Sequence, residues 1–174
     1  MPGDRRHSRL RRLLAVVVVA MTFTAACGGS SPLEELQTQM SDVFLNELQI
    51  ELEDITCTEG AQIQPSSTFQ CTAALTDGEG RLRVGVLIDN DGAANFTQEN
   101  AVVDLDAVET TVTQEISTAI GAEIQVECGE AKVKAVEVAG TFPCTAVAFT
   151  GEERGVEITV EDLEPLYDWK LLPT

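Results

Sequence analysis

The chain has 174 residues, 11 of them basic and 29 acidic, for a net charge of −18. Residues 1–26 hold five of the arginines and one acid, Asp4, so the rest carries 6 basic against 28 acidic residues, a net charge of −22. That balance excludes nucleic acid as a partner, since such binding neutralises phosphates with Lys and Arg, and excludes a basic patch as a membrane anchor.

In chain order, residues 1–26 read as a targeting segment. Arg5, Arg6, Arg9, Arg11 and Arg12 form a basic start and Leu13 to Met21 an apolar core, too short to span a bilayer, which takes roughly 20 residues. Thr24-Ala25-Ala26-Cys27 then resembles the lipobox of bacterial lipoproteins, with Thr24 where Leu or Val is usual. The resemblance implies cleavage before Cys27 and a diacylglycerol thioether on its sulfur. Residues 27–32, with Gly28-Gly29-Ser30-Ser31, suit a flexible tether.

Ser31-Pro32-Leu33-Glu34 is a capping box with proline at the first helical position. Leu33, Leu36, Met40, Phe44 and Leu48 follow at helical spacing and predict an amphipathic helix. Alternating strands are expected at Glu53 to Cys57, Thr68 to Thr76 and Leu82 to Ile88, then a turn at Asn90-Asp91-Gly92 and a last strand with Phe96. The grammar then repeats: a helix from about Asp106 to the stop at Gly121, and strands at Ile124 to Cys128, Thr141 to Thr150, Gly155 to Val160 and around Trp169. Lys132 to Val138 adds a further strand candidate, and Gln98 to Asp104 reads as the joint.

Thr68-Phe69-Gln70-Cys71-Thr72-Ala73 and Thr141-Phe142-Pro143-Cys144-Thr145-Ala146 stand 73 positions apart, as do Gly78-Glu79-Gly80-Arg81 and Gly151-Glu152-Glu153-Arg154. A unit of 33–98 has therefore been copied into 104–172. The expected class is α+β: two tandem repeats, each one helix packed on a small, mostly antiparallel four-stranded sheet with one disulfide.

With Cys27 set aside, four cysteines remain, and four permit three pairings. The duplication favours Cys57 with Cys71 and Cys128 with Cys144, each closing a loop of roughly 15 residues worth about 3 kcal/mol. A metal site fits poorly: the only histidine, His7, lies in the targeting segment, and no CxxC spacing occurs. No cofactor is expected.

The layout of lipobox, helix, Cys57, Phe69-Gln70-Cys71-Thr72, turn and alternating strand is similar to a domain of unknown function found in actinobacterial secreted and lipid-anchored proteins, sometimes in tandem. That family often has proline after its first cysteine, where Thr58 and Gly129 stand here. The resemblance implies location and fold but no activity. The repeated helix-plus-four-strand plan also resembles the β-lactamase inhibitor proteins, whose concave sheet face grips an enzyme.

Catalytic constellations are sparse. Glu51, Glu53 and Asp54, and Glu161, Asp162 and Glu164, are carboxylate clusters that acid–base work would need, but 28 acids make such clusters commonplace. Asp89-Asn90-Asp91-Gly92 lacks the closing glutamate of a calcium loop and reads as a hairpin turn. Tyr167, Trp169 and Arg154 are the residue types that anchor protein interfaces, against the plainer reading that they pack the last strand. The expectation is a non-enzymatic protein, lipid-anchored through Cys27 on the extracytoplasmic face of the membrane, binding an envelope protein or polymer. The alternatives are a carboxylate-based envelope hydrolase and an inhibitor-like protein using a concave sheet face.

Overall fold

A computed structural model describes residues 31–164 and 166–173. The targeting segment, Cys27 and most of the tether lie outside the described residues. Helix α1 (Pro32–Leu48) starts on the expected capping box: the Ser31 hydroxyl accepts from the Glu34 N–H at 3.2 Å, and the Glu34 carboxylate accepts from the Ser31 N–H at 2.7 Å. Strands β1 (Leu52–Cys57), β2 (Thr68–Leu75), β3 (Gly78–Glu79), β4 (Arg81–Ile88), β5 (Ala94–Gln98) and β6 (Ala101–Asp104) follow. Helix α2 (Leu105–Ile120) is capped by Asp104, whose Oδ1 accepts from the Ala107 N–H at 3.0 Å. Asp106, the expected start, sits inside the first turn instead, and Gly121 ends the helix at φ 68°. Then come β7 (Ile124–Glu127), β8 (Val133–Val136), β9 (Thr141–Ala148), β10 (Glu153–Val160) and β11 (Tyr167–Leu171).

Eight of these strands make two antiparallel sheets, ordered β1-β2-β4-β5 and β11-β10-β9-β7. Period-two alternation puts Cys71, Ala73 and Leu75 of β2 and Leu82, Val84, Val86 and Ile88 of β4 under Leu36, Met40 and Phe44 of α1. The second core repeats the plan, with Phe142, Cys144, Val156, Ile158 and Val160 under Val108, Val112 and Ile116 of α2. Disulfides join Cys57 to Cys71 and Cys128 to Cys144. In the first unit the two cysteines face each other across β1 and β2. Among the described residues no helix is long and apolar enough to cross a membrane.

The plan of one helix per four-stranded sheet is incomplete. A third sheet, β3-β8-β6, straddles the units: β3, from the hairpin turn of unit 1, runs parallel to β8, which lies in the second disulfide loop. β8 pairs antiparallel with β6, so the Gln98 to Asp104 joint is a strand for half its length. The reason is burial on both sides. Ala101 and Val103 enter the second core, while Val102 packs against the first.

Strand register also corrects one assignment. Cys71 faces Val84 and Cys144 faces Val156, an offset of 72, so Arg154 corresponds to Leu82 and not to Arg81. The β2–β4 turn is one residue longer than the β9–β10 turn. Phe96 and Trp169, facing Val86 and Ile158, do occupy equivalent places.

Candidate functional site

Tyr167 and Trp169 point from β11 into the second core beside α2, and both are half-buried. The Trp169 indole N–H donates to Glu115 Oε2 at 2.6 Å. Burial raises the Tyr167 pKa above 10.0; the neighbouring Thr111 side chain pulls it down and the Glu115 carboxylate adds to the rise. Tyr167 is thus a neutral phenol at physiological pH. Arg154 lies near the start of β10, against Glu152 at 3.3 Å, whereas Tyr167 pairs with Val160 at that strand's far end. Six residues of strand, roughly 20 Å, separate them. The structure does not gather the three into one patch.

An aromatic that composition did not single out is the exposed one. Phe149, in the β9–β10 turn, is 94% exposed. Its only sequence signal was position, an aromatic next to Thr150-Gly151 in a turn.

The carboxylate clusters Glu51, Glu53, Asp54 and Glu161, Asp162, Glu164 are all exposed. No cluster of His, Cys, Asp or Glu among the described residues is arranged to hold a metal ion. In Asp89-Asn90-Asp91-Gly92, Asp89 Oδ1 accepts from the Asp91 and Ala93 N–H groups at 2.9 and 2.8 Å, which makes it a hairpin turn closing on itself.

Two open concavities of about 360 and 330 Å³ adjoin on unit 1 and share Thr68 and Phe69. The first passes over Gly85, where a β-carbon would come within 2.8 Å of Glu99 Oε1. Glu99 is held there by Gln70 Nε2, which donates to its Oε2 at 2.8 Å. Each concavity holds one carboxylate, Glu99 or Glu59, so neither offers the pair that glycoside hydrolysis uses.

The joint is tied together by part-buried hydrogen bonds and cross-unit ion pairs. Asn100, 3% exposed, stands where the chain leaves β5 for β6. Its Oδ1 accepts from the Arg83 N–H at 2.8 Å and its Nδ2 donates to the Arg81 carbonyl at 3.0 Å, extending the ladder beside β4 with a side chain. Three ion pairs cross from unit 1 to unit 2: Arg83 with Glu137 at 2.5 Å, Asp77 with Lys132 at 3.3 Å, and Glu79 with Lys134. Arg83 Nε is buried and unpartnered among the described residues, which offsets part of that gain.

One further device escaped the sequence. Edge strand β7 is sealed by helix side chains: Ser117 Oγ, Thr113 Oγ1 and Glu109 Oε1 accept from the N–H groups of Ile124, Val126 and Cys128 at 3.3, 2.9 and 2.6 Å. The spacing of four residues along α2 matches alternate outward N–H groups of the strand. Its signal was a polar stripe, Glu109, Thr113, Ser117, beside the apolar one.

The sequence profile of a domain of unknown function, DUF4333, matches residues 15–93 and again 91–164. No curated protein and no solved structure matches the chain. Both profile matches stop before the last strand of a sheet, β5 in the first unit and β11 in the second. With most of its length matched, the chain belongs to the DUF4333 family and carries two tandem copies of this domain of unknown function.

Proposed function

We propose that this chain is a non-enzymatic lipoprotein of actinobacterial type, anchored through Cys27 on the outer face of the cytoplasmic membrane. It presents its two family units as a binding module for an envelope protein or polymer. The carrying observation is the Thr24-Ala25-Ala26-Cys27 segment placed just before the folded part, which begins at the Ser31 cap of α1. A lipid there supplies the membrane attachment that 28 acids against 6 basic residues cannot supply electrostatically.

This reading places the contact at Phe149, an almost fully exposed aromatic of a type enriched in interface cores. Tyr167 and Trp169 contribute through packing, so an interface centred on them is not part of this reading. The acidic surface favours a partner with basic groups.

Two experiments in cells test this. Cys27→Ala should move the protein from membranes to the soluble fraction; unchanged membrane retention refutes the anchor. A photo-crosslinker at position 149 should trap envelope components that one at position 169 does not. Equal trapping at both sites, or at neither, refutes the surface.

A further inference from the structure

We propose that β8 is a strap by which the second unit completes the core of the first, and that the Cys128–Cys144 bond keeps this strap seated. The two units then move and unfold as one body.

The first ground is burial. Val133 and Ala135 of β8 pack against the core of unit 1, while Val136 lies in the core of unit 2. One strand of the second copy therefore has a face in each core. Alternation along a strand makes this unavoidable once both sides are covered.

The second ground is fit. A β-carbon on Gly78 would lie 2.8 Å from Val133 Cγ2, and one on Gly80 would lie 2.8 Å from the Ala135 carbonyl oxygen. Glycine at position 80 is what the approach of β8 requires, while Gly78 is also hemmed in by Leu75 of its own unit, 2.6 Å from the same β-carbon. The Lys132 N–H donates to the Asp77 carbonyl at 3.0 Å and the Lys132 carbonyl accepts from the Leu105 N–H at 2.9 Å, pinning the entry to the strap on both units. Three of the 6 basic residues beyond residue 26 serve cross-unit ion pairs here.

The third ground is covalent. β8 lies wholly within the loop closed by Cys128 and Cys144. Strand β7, which leads into it, is an edge strand paired to β9 over four positions. Without the disulfide, edge strand and strap lose their covalent tie to β9 and are held by hydrogen bonds, ion pairs and packing alone. The equivalent loop of unit 1, between Cys57 and Cys71, contains no strand beyond the start of β2, so that bond secures only its own unit.

Native-state hydrogen exchange on the folded chain tests the idea. In Cys128→Ala/Cys144→Ala, amides of β8 and also of β2 and β4 in unit 1 should exchange faster, on the order of a hundredfold for the release of a loop this long. Acceleration confined to β7, β8 and β9, with β2 and β4 at wild-type rates, overturns the proposal. If that variant fails to fold, Val133→Ala keeps both disulfides and the unit 2 core. It should lower the denaturant midpoint of unit 1 amides and of Trp169 fluorescence together, Trp169 being the single tryptophan and lying in unit 2. A Trp169 midpoint that stays at the wild-type value while unit 1 melts earlier overturns it equally.

Discussion

The β2–β4 turn and the β9–β10 turn descend from one ancestor and now differ in length and in what they touch. The turn of unit 1 carries Thr76, Asp77, Gly78, Glu79 and Gly80, is one residue longer, and forms β3 against β8. The turn of unit 2 carries Phe149, Thr150, Gly151 and Glu152, closes on itself through the Gly151 N–H to the Ala148 carbonyl at 2.8 Å, and points Phe149 at solvent. One copy uses its turn to hold the molecule together, and the other leaves it exposed to solvent. A one-residue difference in length is enough to give the two turns different surroundings.

The largest expected effect breaks the docked turn. Gly80 has φ +83° and a backbone oxygen in the way of any side chain, so Gly80→Ala combines left-handed strain with a clash and should cost about 3 kcal/mol. Gly151 has the same φ of +83° but open space around it, so Gly151→Ala should cost about 1 kcal/mol, the strain alone. Urea unfolding of both variants measures the gap. Equal costs would mean that β8 does not press on the turn of unit 1.

Asn100 sharpens the comparison at the other side of the joint, since Pro173, which has no side-chain amide to offer, stands 73 positions on in the corresponding place of unit 2. Asn100→Ala leaves the Arg83 N–H and the Arg81 carbonyl without their partner in a buried place and should cost about 2 kcal/mol. The same denaturant series detects it, and a loss below about 0.5 kcal/mol would mean that water replaces the side chain.

Much of this architecture was legible in the sequence, and the exceptions share a cause. Local signals worked: the Ser31 capping box, the stop at Gly121, and the alternation in Val84, Val86 and Ile88 each act within a few residues. The third sheet was not legible because its partners are far apart in the chain and its members are short. β3 has two residues, and β6 reads as a linker because Gln98 to Asp104 is polar and acidic apart from the apolar run Ala101, Val102 and Val103. Such a run is what burial on both faces requires, yet without β8 beside it nothing in the segment says so. Arg81 and Arg154 were matched by identity, but register couples Arg154 with Leu82, since an insertion in a turn is invisible to a motif that spans it. Of the candidate site, residue types pointed to Tyr167 and Trp169. Burial, which composition does not report, moves both into packing.

The edge strands give a smaller contrast. β7 is sealed by the Glu109, Thr113 and Ser117 ladder, whereas β1 has a register shift between Glu53 and Thr56, with Asp54 at φ 49°, and takes one side-chain bond from α1, Gln37 Nε2 to the Ile55 carbonyl at 2.9 Å. Both arrangements keep an edge from pairing with another chain, one by occupying its donors and one by bending. Thr113→Val keeps the shape of the side chain but orphans the Val126 N–H, so it should cost about 1 kcal/mol and speed exchange at Val126. Ser41, its counterpart on α1, makes no such bond among the described residues, and Ser41→Ala should be near neutral. An unchanged Val126 amide in Thr113→Val would show that the ladder is not what seals β7.

The least disruptive test concerns Tyr167, whose place in unit 1 is taken by Ala94. Tyr167 is the single tyrosine, so absorbance of the phenolate titrates this residue alone. Desolvation against α2 is the main cause of its raised pKa, Thr111 acts the other way, and Glu115 reinforces the rise. The folded protein therefore holds the proton beyond pH 10.0, the ordinary value. A folded pKa above the unfolded one means that the stabilising contribution is complete below the unfolded pKa and is lost as pH climbs through the folded one. The native titration should have its midpoint above 10.0, and removing the Glu115 charge with Glu115→Gln should bring it down. A native midpoint at or below that of the urea-unfolded chain would place Tyr167 in solvent and reopen the case for it as an interface residue. Because unit 1 has only Ala94 there, a midpoint above 10.0 would also mark the β11–α2 seam as the place where the second copy gained core that the first receives from the strap.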